Sequence, residues 1–399
     1  MARSPGLKWA SAIARKGTAR AAVEEAAREI HTQLGELRAD LVVLFASAEV
    51  AADEDGLPAL VQAHFPGALV VGTSGLGVIG ASHEEEDLPA IALSAASLPG
   101  VQLASFQVDT AQFPSPNAPI ERWHTTLGVP PDGDPNFLLF TDPYTCDTRS
   151  LIAGLDRAYP RSVKTGGLAS GGRGPGRTRL YLHGITWRSG AVGVALKGRV
   201  RMDTIVAQGC RPIGTPMLVT RCDGQVLLEL NQRRPIEVLR EVHEALPDED
   251  KELFRQALFL GVEMKSDQVE YGHGDFLVRN IVGVDARTGA LAIGAELRPF
   301  QVVQFMLRDA ATAAEDLNRT LARYREQHPG VVPSGALLFS CTGRGRRLFG
   351  HENHDTGLFE QVFGPVPLAG FFCNGEIGPV GGTTFQHGYT SAFALFRPK

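Results

Sequence analysis

A chain of 399 residues with 43% hydrophobic residues is long enough for two domains with sizeable cores, and its net charge of -5 gives no sign of a nucleic-acid partner. Its five cysteines (Cys146, Cys210, Cys222, Cys341 and Cys373) lack CxxC spacing, which argues against a disulfide framework or structural zinc and fits a reducing cytoplasm. No run of about 18 apolar residues is present, so no membrane span is expected.

The N-terminus carries Arg3, Lys8, Arg15, Lys16 and Arg20 before its first acidic residue, Glu24. Arg15 and Lys16 interrupt the only stretch that could serve as a signal-peptide core. Ala22, Ala26, Ile30, Leu34 and Leu37 then fall at helical spacing, so 18–37 reads as an amphipathic helix, and residues 1–36 are set apart as an N-terminal helical segment.

Beyond it one plan occurs three times. A strand at 41–45 (LVVLF) is followed by a helix at 57–65, the glycine-rich string V-V-G-T-S-G-L-G-V-I-G at 70–80, and a strand at 90–93. The second copy has a strand at 137–140 (FLLF), a helix at 148–159, V-K-T-G-G-L-A-S-G-G at 163–172, and a strand at 191–196. The third has a strand at 336–339 (ALLF), a helix at 352–363, G-F-F-C-N-G-E-I-G-P-V-G-G at 370–382, and a strand at 391–396. The second and third copies also share Y-L-H-G-I-T and F-Q-H-G-Y-T, which aligns His183-Gly184 with His387-Gly388.

Residues 209–303 read differently. Strands are expected at 211–219, 226–230, 276–284, 290–294 and 302–307, helices at 235–245 and 251–258, and a further helix at 310–324. The expected fold class is α/β: two domains with mixed sheets flanked by helices, built from repeated strand-helix-strand units. The domains are placed at 37–228 and 229–399, with the boundary near 228–234.

Several separated strings carry a resemblance: V-V-G-T-S-G at 70–75, G-C-R-P-I-G at 209–214, R-N-I-V-G-V-D at 279–285, F-S-C-T-G-R-G at 339–345, and C-N-G-E-I-G-P-V-G-G…H-G-Y-T from Cys373 to Thr390. In this order they resemble the FIST domain family, FIST N followed by FIST C. The resemblance implies a cytoplasmic sensory module that binds a small polar ligand, an amino acid or similar molecule, and signals through a partner protein. No segment for an output domain is left over, so a stand-alone member is expected.

Glycine-rich strand ends bring backbone donors and polar side chains to one small space. Arg344 offers a bidentate fork to a carboxylate; Glu376 and Asn374 offer acceptors to an ammonium group. Thr73, Ser74, Arg279, Asn280, Cys341, Cys373 and His387 complete the expected ligand site. Cys341 or Cys373 beside Arg344 or a histidine also admits a thiol nucleophile, against the commoner reading of cysteine as a small buried hydrophobe. A ligand-free interaction scaffold is the third alternative. The string His351-Glu352-Asn353-His354-Asp355 lacks HExxH spacing and reads as a solvated loop or helix cap. No cofactor or metal is called for.

Overall fold

A computed structural model describes residues 6–15, 17–265, 270–272 and 274–399; Arg3 and Lys16 lie outside the described residues. The chain forms two compact units. One holds the chain up to Val206 together with Arg319–Gln386 and Thr390–Lys399; the other holds Ala207–Asn318 and His387–Tyr389.

The first unit contains three mixed six-stranded sheets, each centred on one parallel pair. The pairs are Leu41–Ser47 with Leu69–Gly75, Asn136–Thr141 with Lys164–Leu168, and Gly335–Cys341 with Leu368–Cys373. Each crossover includes a helix: Leu57–His64, Thr148–Ala158 and His354–Phe363 respectively. The three copies share one register, with Leu44 opposite Gly72, Leu139 opposite Gly166 and Leu338 opposite Gly370. At each glycine a Cβ would lie 1.8 Å from the opposite leucine carbonyl oxygen, so no other residue fits. One position further along, Phe45, Phe140 and Phe339 converge in the core, Phe140 lying 5.8 Å from Phe45 and 6.2 Å from Phe339 between ring centres.

Each copy lends a hairpin to another copy's sheet. The hairpin Val78–Gly80/His83–Glu85 extends the third pair through Leu368–Cys373. The hairpin Leu180–Leu182/Ile185–Trp187 extends the first pair, and Glu376–Val380/Thr383–His387 the second. The exchange is cyclic, and equivalent backbone bonds mark it: Ser74 N donates to Arg179 O, Leu168 N to Gly375 O, and Phe372 N to Gly77 O, at 2.8–3.0 Å.

The hairpin turns correct the alignment of His183 with His387. All three turns consist of two positive-φ residues: Ala81-Ser82, His183-Gly184 and Gly381-Gly382. That is the requirement of a tight two-residue hairpin connection. His183-Gly184 therefore corresponds to Gly381-Gly382, while His387 ends the strand Thr383–His387. Among the described residues of the N-terminal segment, helix is confined to the stretch expected at 18–37. Ala19–Leu34 is a helix capped by Thr18, but Lys8–Ala14 is a strand paired with Ile91–Ser97, because its small residues fit between that partner strand and the helix.

The second unit is a closed barrel in the order Arg211–Asp223, Val226–Leu230, Leu291–Ile293, Phe276–Val284, Leu258–Glu263 and Val302–Leu307. Val219, Leu227, Leu260, Ile293 and Phe305 fill it. Helix is confined to Pro235–Ala245 and Asp248–Gln256 before Leu258–Glu263, which pairs with strands on both sides; local propensity had carried the helix as far as Leu258. The helix Ala310–Gln327 follows the last barrel strand, and Arg319 opens the return into the first unit. The third copy closes the first unit from the far side of the barrel segment in the chain.

Candidate functional site

The strands Gly335–Cys341 and Leu368–Cys373 end side by side, and the chain after each turns through glycine. Thr342 N bonds to Cys373 O at 3.0 Å and Arg344 N to Cys341 O at 2.8 Å, which folds the Thr342–Gly345 loop over the strand ends. This turns the Arg344 side chain inward, where it is 0% exposed. Its Nε and Nη2 donate to the two oxygens of Asp355 at 2.8 and 2.9 Å. Asp355 lies in the first turn of the helix His354–Phe363, and it also accepts from His354 Nδ1 at 2.9 Å and Ser340 Oγ at 3.2 Å. Burial alone would push this carboxyl up; the Arg344 charge and the bonds from His354 and Arg344 outweigh it and hold Asp355 well below the usual carboxylate range.

A second buried carboxyl stands close by. Glu376 Oε2 accepts from Thr390 N at 3.0 Å and Thr390 Oγ1 at 2.5 Å, and Cys373 Sγ donates to its Oε1 at 3.2 Å. Burial pushes Glu376 up to about 7, against the opposing pull of those bonds and of Arg344. Burial also pushes the Cys373 thiol well above its ordinary value, and the adjacent Glu376 adds to the effect. Among the described residues, Nη1 of Arg344 has no hydrogen-bond partner.

Outside this sealed cluster, at the same strand ends, opens a pocket of about 430 Å³ lined by Leu76, Gly77, Glu86, Asp87, Thr342, Arg346, Arg347 and Phe372. Glu86 accepts from Arg346 N at 2.7 Å, and Asp87 pairs with the Arg346 guanidinium. Burial raises the pKa of Glu86, partly offset by that bond. Gly345 has φ +59° and a Cβ there would meet Glu86 Oε1 at 2.3 Å, so glycine is what lets the carboxylate approach the loop. Loops from the first and third copies thus supply one polar cleft with charges of both signs.

Residues 40–233 match the FIST N domain and residues 235–379 the FIST C domain. The chain belongs to the FIST family. Similar proteins include Rv0628c of Mycobacterium tuberculosis, 39% identical over 377 residues that span 94% of this chain and 96% of that protein. Mb0898c of Mycobacterium bovis is 39% identical over 379 residues, 95% of this chain and 96% of its own. A cyanuric acid hydrolase from A. caulinodans covers 98% of this chain and 99% of its own with 9% identity and a TM-score of 0.35, a likeness too distant to carry a functional reading.

FIST domains are sensory modules that bind small ligands. Within this FIST chain, Cys341, Arg344, Cys373 and Glu376 come together in the buried cluster. Asn374 is exposed beside it, its backbone N bonded to Leu168 O at 3.0 Å. Thr73 and Ser74 end a strand of the first copy; Thr73 Oγ1 donates to Arg179 O at 3.0 Å, and Ser74 Oγ accepts from Arg179 N at 3.0 Å. Arg279 and Asn280 belong to the barrel unit, where the Tyr389 hydroxyl donates to Asn280 Oδ1. His387 is buried and groups with the barrel unit.

The residues that sequence reasoning missed are Asp355, Thr390, Glu86 and Asp87. The loop 351–355, read as solvated, delivers Asp355 to the interior. The acidic run Glu84-Glu85-Glu86-Asp87 was a visible signal, since four carboxylates at the end of a hairpin repel one another unless cations meet them. Among the described residues no group of three or more His, Cys, Asp or Glu is placed to hold a metal, and no helix is long and apolar enough to cross a membrane.

Proposed function

We propose that this FIST protein is a cytoplasmic sensor whose ligand is a small zwitterion such as an amino acid, held in the cleft of Glu86, Asp87, Thr342, Arg346 and Arg347, with the signal passed to a partner protein. The supporting observation is the juxtaposition of both charge signs around a cavity of about 430 Å³, a size suited to a small molecule. Arg347, exposed and without an ion pair among the described residues, receives the carboxylate. Glu86 and Asp87 receive the ammonium group, and Thr342 adds a hydroxyl. Arg344 and Glu376 act behind this wall: the Asp355 pair fixes the Thr342–Gly345 loop and so sets where the cationic side of the cleft stands.

Thermal-shift screening against amino acids and small carboxylates, followed by calorimetry, tests the reading. A ligand that loses about tenfold or more in affinity with Arg347→Ala or Glu86→Gln supports it. A bound ligand whose affinity is unchanged in both variants overturns the assignment of the cleft.

A further inference from the structure

Cys341 and Cys373 occupy the same register on adjacent parallel strands. They continue the face that carries Leu337 and Phe339 on one strand and Ala369 and Phe371 on the other, since each thiol lies two residues beyond a core phenylalanine. Neighbouring strands stand about 4.8 Å apart. That falls within the Cα separation of about 4.4–6.8 Å that a disulfide spans. Both residues are thiols in this structure. Cys341 is 8% exposed and adjoins Thr342 of the cleft, whereas Cys373 is 0% exposed.

The surroundings divide the chemistry between them. Arg344 interacts electrostatically with Cys341, and a guanidinium favours a thiolate over a thiol. The Nη1 group of the same guanidinium is fully buried and has no hydrogen-bond partner among the described residues, which leaves one donor of this side chain unused. Cys373 donates to Glu376 Oε1 at 3.2 Å, so a proton acceptor is already bonded to the second thiol.

We propose that Cys341 and Cys373 form a peroxide-responsive dithiol, with Cys341 the attacking and Cys373 the resolving residue. The Cys341 thiolate attacks one oxygen of hydrogen peroxide; the O–O bond breaks, a sulfenic acid forms, and the other oxygen leaves as water after taking a proton. Cys373 sulfur then attacks the Cys341 sulfur, passing its proton to Glu376, and the second oxygen leaves as water. In sum, two thiols and one peroxide give one disulfide and two waters. Thiol exchange with a cellular dithiol restores the reduced pair. The reaction is independent of what fills the cleft. Oxidation removes the thiol donor from Glu376 and ties the two strand ends together beneath the Thr342–Gly345 loop.

The test treats the reduced full chain with one equivalent of hydrogen peroxide and follows titratable thiols under denaturing conditions and disulfides by peptide mass mapping. The expected result is a fall from five thiols to three, with a Cys341–Cys373 linked peptide that has lost two hydrogens. Cys373→Ser should stop at a sulfenic acid on Cys341 that a dimedone probe traps, and Cys341→Ser should yield neither product. Five thiols remaining, or oxidation directed to Cys146 or Cys222, overturns the proposal. The wild-type mapping decides the question even if a serine variant fails to fold.

Discussion

Arg344 and Asp355 meet through two parallel N–H···O bonds of 2.8 and 2.9 Å with almost no exposure of either side chain. Arg344 belongs both to the sealed carboxyl–thiol cluster and to the loop that brings Thr342 to the open cleft, so its pairing decides how the Thr342–Gly345 loop is held.

Removing one partner of such a pair leaves an uncompensated buried charge. Arg344→Met should destabilise the first unit by about 3–5 kcal/mol, and Arg344→Met with Asp355→Leu should recover much of that loss. Urea unfolding followed by near-ultraviolet circular dichroism checks this. Equal destabilisation of the single and double variants would show that the pair's charge is not the source of the cost.

Glu376 and Asp355 act on stability in opposite pH windows. The folded value of Glu376 is raised to about 7 above an unfolded value near 4.3, so its contribution is complete below about pH 4.3 and is lost as pH rises through 7. Asp355 is depressed, so its contribution is present above about pH 3.9 and is lost on acidification through its low folded value. Glu376→Gln can keep its carbonyl on Thr390 and should flatten the decline in melting temperature between pH 5 and 8. An unchanged slope in the variant would assign that decline to another group, Glu84 first, because burial and Asp355 push it to about 7 as well.

The three register glycines should behave alike. Gly72→Ala, Gly166→Ala and Gly370→Ala each drive a methyl onto a backbone oxygen 1.8 Å away and are expected to abolish soluble expression or cost more than about 4 kcal/mol. Gly357→Ala, in the helix His354–Phe363 with nothing within 4 Å, should instead stabilise by about 0.5–1 kcal/mol. Soluble yield and melting temperature across the four variants provide the comparison.

Gly345→Ala should displace Glu86 and strain a left-handed backbone position, weakening any cleft ligand by about tenfold or more with a smaller effect on folding than the register glycines. Calorimetry on the ligand found by screening measures this. Full affinity in the variant would remove Glu86 from the site.

The threefold plan is legible because its strands end in recurring apolar runs: Phe45, Phe140 and Phe339 were visible as L-V-V-L-F, F-L-L-F and A-L-L-F, and they meet in the core. The exchange of hairpins is not legible, because strand pairing between Gly80 and Ala369 leaves no local periodicity. The string shared by His183 and His387 misled for the same reason; similar letters occupy a turn in one copy and a strand end in the other. Residue chemistry at 341–376 was readable, but exposure was not. Whether Arg344 faces a ligand or a carboxylate depends on Asp355, which the helix His354–Phe363 brings from eleven residues away.

The cyclic lending of hairpins also sets a timetable for the nascent chain. The hairpin Val78–Glu85 emerges long before its partner strand Leu368–Cys373 has been made. At about 5–20 residues per second the ribosome leaves that hairpin unpartnered for tens of seconds. Charges on Glu84, Glu85, Glu86 and Asp87 then keep an orphan strand edge soluble, the role such gatekeepers serve on edges at risk of aggregation. Two of these carboxylates, Glu86 and Asp87, line the finished cleft, and they would thus protect the protein before it has one.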